Sequence, residues 1–172
     1  MHQNKAFTLI ELLVVISIIS VLAATMMTAF SSAKDKTYLG RAKAEFRSVE
    51  TALELYRMAN NDQYPGDVAR DTAPTGLSQY LGGYGTTGWP KAPWPNSSFD
   101  WDYWPNNGDP IYQISIRFCP QGANALSQCT FPKAGWASNF NLLSSVYYCI
   151  SGPCRAHIDE PLNYPGYCVN CP

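Results

Sequence analysis

From Ala6 to Ala33 the chain is apolar except for scattered Ser and Thr and one ionisable side chain, Glu11. About 20 apolar residues at roughly 1.5 Å each cross the hydrocarbon of a bilayer, so this run is long enough to span one as a helix. After Ala33 the pattern changes. Leu39, Ala42, Phe46, Val49, Leu53 and Tyr56 recur at spacings of three and four, which draws one apolar stripe on a helix. Lys43, Arg47, Glu50, Glu54 and Arg57 take other faces, with Arg47 and Glu50, and Glu54 and Arg57, spaced to pair. No proline intervenes before Pro65, and Asn60-Asn61-Asp62 followed by Tyr64-Pro65-Gly66 is a strong stop. The prediction is one helix from Phe7 to about Asn60, roughly 80 Å long. Its first half suits lipid or other helices, and its second half suits a head packed along one side.

Beyond the helix the periodicity weakens. Residues 66–112 are rich in Gly, Pro, Asn and aromatics and read as irregular loop, with turns at Gly82-Gly83 and Asn106-Asn107-Gly108. Trp89, Trp94, Trp101 and Trp104 lie here, either as cover for a small core or as anchors for a glycan or partner. Ile111 to Phe118 is the best strand, with polar Gln113, Ser115 and Arg117 at alternate positions. Leu142 to Ile150 is a second, after a turn over Asn139–Leu143, and a short third precedes Cys168. The predicted fold is α+β: a long amino-terminal helix, half membrane-spanning and half amphipathic, packed on a small antiparallel sheet of three or so strands.

Six cysteines, Cys119, Cys129, Cys149, Cys154, Cys168 and Cys171, cluster in the last third. An even count in a small exported domain reads as disulfides, with 15 possible pairings. The expectation adopted is Cys119 with Cys129 and the last four among themselves. A zinc site from Cys149, Cys154, Cys168 and Cys171, or a redox pair Cys168–Cys171, is the competing reading. Asp100, Asp102 and Asp109 are weak calcium candidates; as an Asp-x-Asp without the full spacing of a calcium loop, they read first as solvated acids.

Glu11 is the residue that asks for an explanation, because a carboxylate inside an apolar span is costly unless paired. The plain alternative is an anchor helix whose Glu snorkels to the interface. The small residue Ala6 precedes the apolar run, after weakly basic MHQNK, whereas a secretory signal carries its cleavage site after the core. The run Lys5-Ala6-Phe7-Thr8-Leu9-Ile10-Glu11-Leu12 resembles the processing site of type IV pilins and the related pseudopilins. The segment Ala52–Tyr56 leading to Asn61, Tyr64 and Pro65 resembles the helix end of the same families. The resemblance covers residues 1–65 and implies a pilin-like fold. It also implies cleavage between Ala6 and Phe7 by a prepilin peptidase, methylation of Phe7, and pairing of Glu11 with a neighbouring subunit's amino terminus. Ala6 stands where family leaders usually carry Gly, and no proline stands near Thr28, where many relatives have one. Major pseudopilins as a family use a calcium loop.

On this reading residues 1–6 are leader, 7–33 the hydrophobic assembly helix, 34–61 its amphipathic continuation and 62–172 the head. The head divides at 110 into a Trp-, Pro- and Gly-rich part and a β-sheet and Cys-rich part. Lys34 and Lys36 oppose the usual positive-inside count, which the resemblance overrides to place the amino terminus in the cytoplasm and the head outside. A net charge of −1, with five basic against seven acidic side chains in residues 66–172, argues against a nucleic-acid partner. Two histidines, His2 and His157, give no HExxH and no triad, and Gly82-Gly83-Tyr84-Gly85 is not a phosphate loop after a strand. Asn96-Ser97-Ser98 fits a glycosylation acceptor, a pattern common by chance.

The expected function is therefore structural and not enzymatic: a homo-oligomeric helical filament at the cell surface, needing prepilin peptidase, inner-membrane assembly machinery and no cofactor. The alternatives are a periplasmic pseudopilin of a secretion or DNA-uptake system, and a monomeric membrane-anchored binding domain.

Overall fold

The computed structural model describes residues 8–82, 84, 88–105, 110–157 and 164–171. Ala6, Phe7, Asp109, the Asn106–Gly108 turn, and Gly83 and Gly85 lie outside the described residues. Helix α1 runs from Leu9 to Ala59, 51 residues without a break, or about 76 Å at 1.5 Å per residue. Its end is set locally. The Arg57 carbonyl accepts the N–H groups of Asn60 and Asp62, and Asn61 and Asp62 take positive φ, which Asn and Asp tolerate. The Arg57 guanidinium holds Glu54 and Asp62 at 3.0 and 2.6 Å across that turn.

The second half of α1 buries Ala42, Phe46, Val49, Ala52 and Leu53 completely or nearly so, with Leu39 and Tyr56 half-buried along the same stripe. Fully burying a side chain of the size of Phe46 or Leu53 stabilises by about 1.5–3 kcal/mol. The stripe lies on a four-stranded mixed sheet: β1 (Ser98–Trp104), β2 (Ile111–Arg117), β3 (Ser145–Ser151) and β4 (Tyr167–Cys168), adjacent in that order. The first two pairings are antiparallel and β3–β4 is parallel. Phe46 meets Phe99 edge to face at 5.7 Å and Tyr148 at the same distance, so helix and sheet interlock through aromatic rings.

Three expectations are corrected. Residues 98–104 form a strand, inside the stretch read as irregular loop. Phe99 and Trp101 alternate with Asp100 and Asp102 at the period of a strand, and the register Phe99 to Ile116 and Trp101 to Ile114 puts the apolar set under the helix. The sheet is not wholly antiparallel, because the two-residue β4 is carried in beside β3 by the cysteine-rich end. Asp100 and Asp102 are not solvated. They are buried with Gln113, Ser115, Arg117 and Ser145 on the sheet face away from α1. The segment around Arg155 and Ala156 covers that face. The Ala156 carbonyl accepts from Arg117 Nη1 at 2.8 Å and Ser145 Oγ at 2.6 Å, and Gln113 exchanges hydrogen bonds with the Arg155 backbone.

Trp89, Trp94 and Trp101 belong to the core, while Trp104 is 43% exposed. Three disulfides, Cys119–Cys129, Cys149–Cys154 and Cys168–Cys171, staple the loops, and no cysteine is free.

Candidate functional site

The first half of α1 is the feature a packed domain does not need. From Leu9 to Met26 every residue is exposed, Leu9 at 82% and Ile10 at 70%, and no part of this window touches the head. A helix apolar on all sides and buried on none requires lipid or other helices around it.

Glu11 sits in the first turn of this helix. Its Oε2 accepts from the Thr8 backbone N–H at 2.8 Å and from Thr8 Oγ1 at 2.7 Å, while Glu11 N–H donates to Thr8 Oγ1 at 3.3 Å. This capping box satisfies amide groups that the first turn cannot pair internally. Thr8 was missed as a participant, although Thr-x-x-Glu before an apolar run is its sequence signal. The exposed carboxylate keeps lone pairs beyond these bonds, so it can accept a cation from another chain. Ser17, Ser20 and Thr25 return their hydroxyls to the backbone carbonyls of Val14, Ile16 and Leu22, which removes polar groups from the helix surface.

Where the head first meets α1, Asp35 is buried between two loops. Its Oδ1 accepts the Trp94 indole N–H at 3.2 Å and its Oδ2 the Lys133 backbone N–H at 2.8 Å. Farther along, Glu45, Glu50 and Glu54 accept the hydroxyls of Tyr84, Tyr148 and Tyr64. The exposed half of α1 thus continues without a break into the half that these hydrogen bonds fasten to the head. The sequence marks the tyrosines only as aromatic cover, and nothing in the Lys34-Asp35-Lys36 run distinguishes Asp35 from a solvated acid.

Asp100 and Asp102 are brought together, but onto guanidiniums. Asp100 Oδ2 lies 3.5 Å from Arg70 Nε and 3.4 Å from Arg117 Nε, and Asp102 Oδ1 lies 3.8 Å from Arg117 Nη2. Asp102 Oδ2 also accepts from Gln113 and Ser115. Burial, then the charge of Asp102, push the Asp100 carboxyl up to about 7 against the pull of the two arginines. A cavity of about 200 Å³ lined by Asp67, Arg70, Gln121 and His157 opens beside the cluster. With these oxygens engaged, the pair is a structural bridge under the sheet. No group of three or more His, Cys, Asp or Glu is arranged to hold a metal ion among the described residues.

Residues 1–27 match the family model described as the prokaryotic N-terminal methylation motif. The chain is 36% identical over 64 residues to type II secretion system core protein G of Pectobacterium carotovorum, covering 37% of this chain and 40% of that protein. It is 30% identical over 103 residues to the protein of the same name from Vibrio cholerae, covering 56% and 69%. Fimbrial protein Q of Moraxella bovis is 35% identical over 72 residues, covering 42% and 46%. The chain thus spans less than half the length of the first and last of these relatives. No solved structure matches.

Proposed function

We propose that this chain, which belongs to the type IV pilin and pseudopilin family, is a structural subunit of a helical filament, anchored in the membrane by α1 until assembly. The observation that carries this is the 18-residue window Leu9–Met26, wholly exposed yet continuous with a helix locked into the head. Packing those windows from many copies together buries them all round, and leaves the heads as the filament surface. Prepilin peptidase cleaves between Ala6 and Phe7 and the new Phe7 amino group is methylated. That ammonium lies near the Glu11 of a neighbouring subunit in the filament core. Two opposite charges there fix axial register, since a subunit out of register leaves one of them unpaired in an apolar surrounding. The precursor sits in the cytoplasmic membrane with its head outside, and assembly machinery of that membrane extracts it. The chain is not an enzyme.

Between pilus and pseudopilus, relatives bearing the names of both fimbrial and secretion proteins support either, and the secretion relative from Vibrio cholerae is matched over the larger share of its length. Electron microscopy of cells expressing the chain with its assembly system tests the proposal. Filaments that form with wild type and disappear with Glu11→Ala, while the precursor still inserts, support it. Filaments unaffected by Glu11→Ala overturn the register role, and a chain that never assembles favours an anchored binding domain.

A further inference from the structure

Asp35 is the first side chain along α1, among those described, that the head covers. The residues around it therefore form the rim of the head nearest the apolar span. Lys34 and Lys36 flank Asp35 on the helix and are exposed, and Lys133, whose backbone N–H binds Asp35, is exposed on the adjoining loop. The one acid among them has its carboxylate turned inward onto Trp94 and the Lys133 amide, so these four described residues present three cations and no outward carboxylate. Farther along the helix Lys43 follows, while Arg41 is ion-paired with Glu45 at 3.5 Å and reaches the carbonyl of Lys91, another exposed lysine. Half-buried Tyr38 and Trp136, with buried Trp94 between them, accompany the charges. Lys34 Nζ lies 5.6 Å from the centre of the Tyr38 ring, Tyr38 packs edge-on against Trp94, and Trp94 against Trp136.

If hydrocarbon begins at Leu9, about 20 residues of helix cross it, and Asp35 stands about 10 Å beyond. The headgroup layer is about 5–8 Å deep on each side, and lysine stems extend several ångströms along a surface while keeping the ammonium in water. The three ammonium groups thus lie within reach of lipid phosphates, closer than a Debye length of about 8 Å. Lysines beside tyrosine and tryptophan are the chemistry of a membrane interface. We propose that the rim of Lys34, Lys36, Tyr38, Lys133 and Trp136 seats the head on the anionic phospholipid headgroups of the leaflet it faces, before the subunit is assembled. The seat holds the head against the membrane, and it explains lysines placed on the side where the positive-inside count disfavours them. It rests on the anchored precursor proposed above.

The test uses the full chain incorporated into vesicles of phosphatidylcholine alone and of phosphatidylcholine mixed with phosphatidylglycerol. Flotation shows whether the chain is anchored, and hydrogen exchange of the amides at 133–137 reports the seat. Each lysine near an anionic surface contributes about fivefold, so exchange in the mixed vesicles is slower by on the order of tenfold or more, and the difference fades in high salt. The combined variant Lys34→Gln, Lys36→Gln, Lys133→Gln floats like wild type but exchanges equally in both vesicles. Wild type that floats and exchanges equally in both overturns the seat and leaves the anchor standing. A chain that does not float overturns the anchor, and the seat with it.

Discussion

Asp35 and Trp94, 59 residues apart, are joined by one hydrogen bond that fastens the head to the helix where the helix leaves its apolar half. The second carboxylate oxygen takes the Lys133 amide, so one side chain ties together α1 and two loops. Replacing Asp35 by Ala leaves two donors facing a cavity, at about 1–3 kcal/mol for each buried group without an acceptor. Thermal unfolding of the full chain in detergent micelles, followed by near-ultraviolet circular dichroism, should show a clear fall in midpoint. Asp35→Asn keeps one acceptor oxygen and should fall less.

The Asp100 carboxyl gives the head a dependence on pH of definite sign. Its pKa is raised to about 7 in the folded chain, above the ordinary value of 3.8, so the native state holds that proton more tightly than the unfolded state. The resulting stability is fully present below the ordinary carboxylate range and is lost as pH rises through about 7. Asp71, raised chiefly by burial, acts in the same direction. Glu54, lowered first by the Tyr64 hydroxyl, opposes them only at more acidic pH, where its own range lies. Denaturant midpoints should therefore fall as pH rises from about 4.5 to about 7 and level off above that. Asp100→Asn, which mimics the protonated acid, should flatten that slope.

Tyrosines set the alkaline limit. Tyr64, Tyr84, Tyr112, Tyr147 and Tyr148 are all pushed above the usual tyrosine value, each first by burial. A raised tyrosine stabilises the fold below the ordinary value of 10 and loses that contribution as pH climbs through the folded one. In an absorbance titration at the phenolate band, these rings should ionise together with unfolding. Tyr148→Phe, which cannot ionise but leaves Glu50 without its donor, should shift the alkaline transition upward while lowering stability at neutral pH.

Much of this architecture was legible from residue patterns, for physical reasons that also explain the misses. The stripe from Leu39 to Tyr56 was readable because one helix face must be apolar at a period of 3.6, and β2 because its β-branched and aromatic residues alternate with polar ones. β1 was not, because Asp100 and Asp102 read as solvated. Their burial depends on Arg70 and Arg117, which sit 30 and 15 residues or more away in the chain and arrive only through the fold. The parallel placement of β4 is similarly nonlocal. Two residues show no period, and their position depends on Asn170 bonding both backbone groups of Cys149. At the candidate site, Glu11 stood out because a charge in an apolar run is expensive, whereas Asp35 between two lysines carried no such mark.

Gly152 is required by its turn. Its φ is +85°, and a Cβ placed there would lie 2.3 Å from the Pro110 carbonyl oxygen. Left-handed strain and that clash together should make Gly152→Ala destabilising by about 1–3 kcal/mol or more. Chemical denaturation with the disulfides intact checks this, with an expected midpoint well below wild type.

The most direct test of a filament subunit is the intact mass and amino-terminal peptide mass of protein sheared or extracted in assembled form. The prediction is a chain that begins at methylated Phe7 and is lighter by two hydrogens for each of the three disulfides. A chain that still begins at Met1 and is found only in membranes would contradict it.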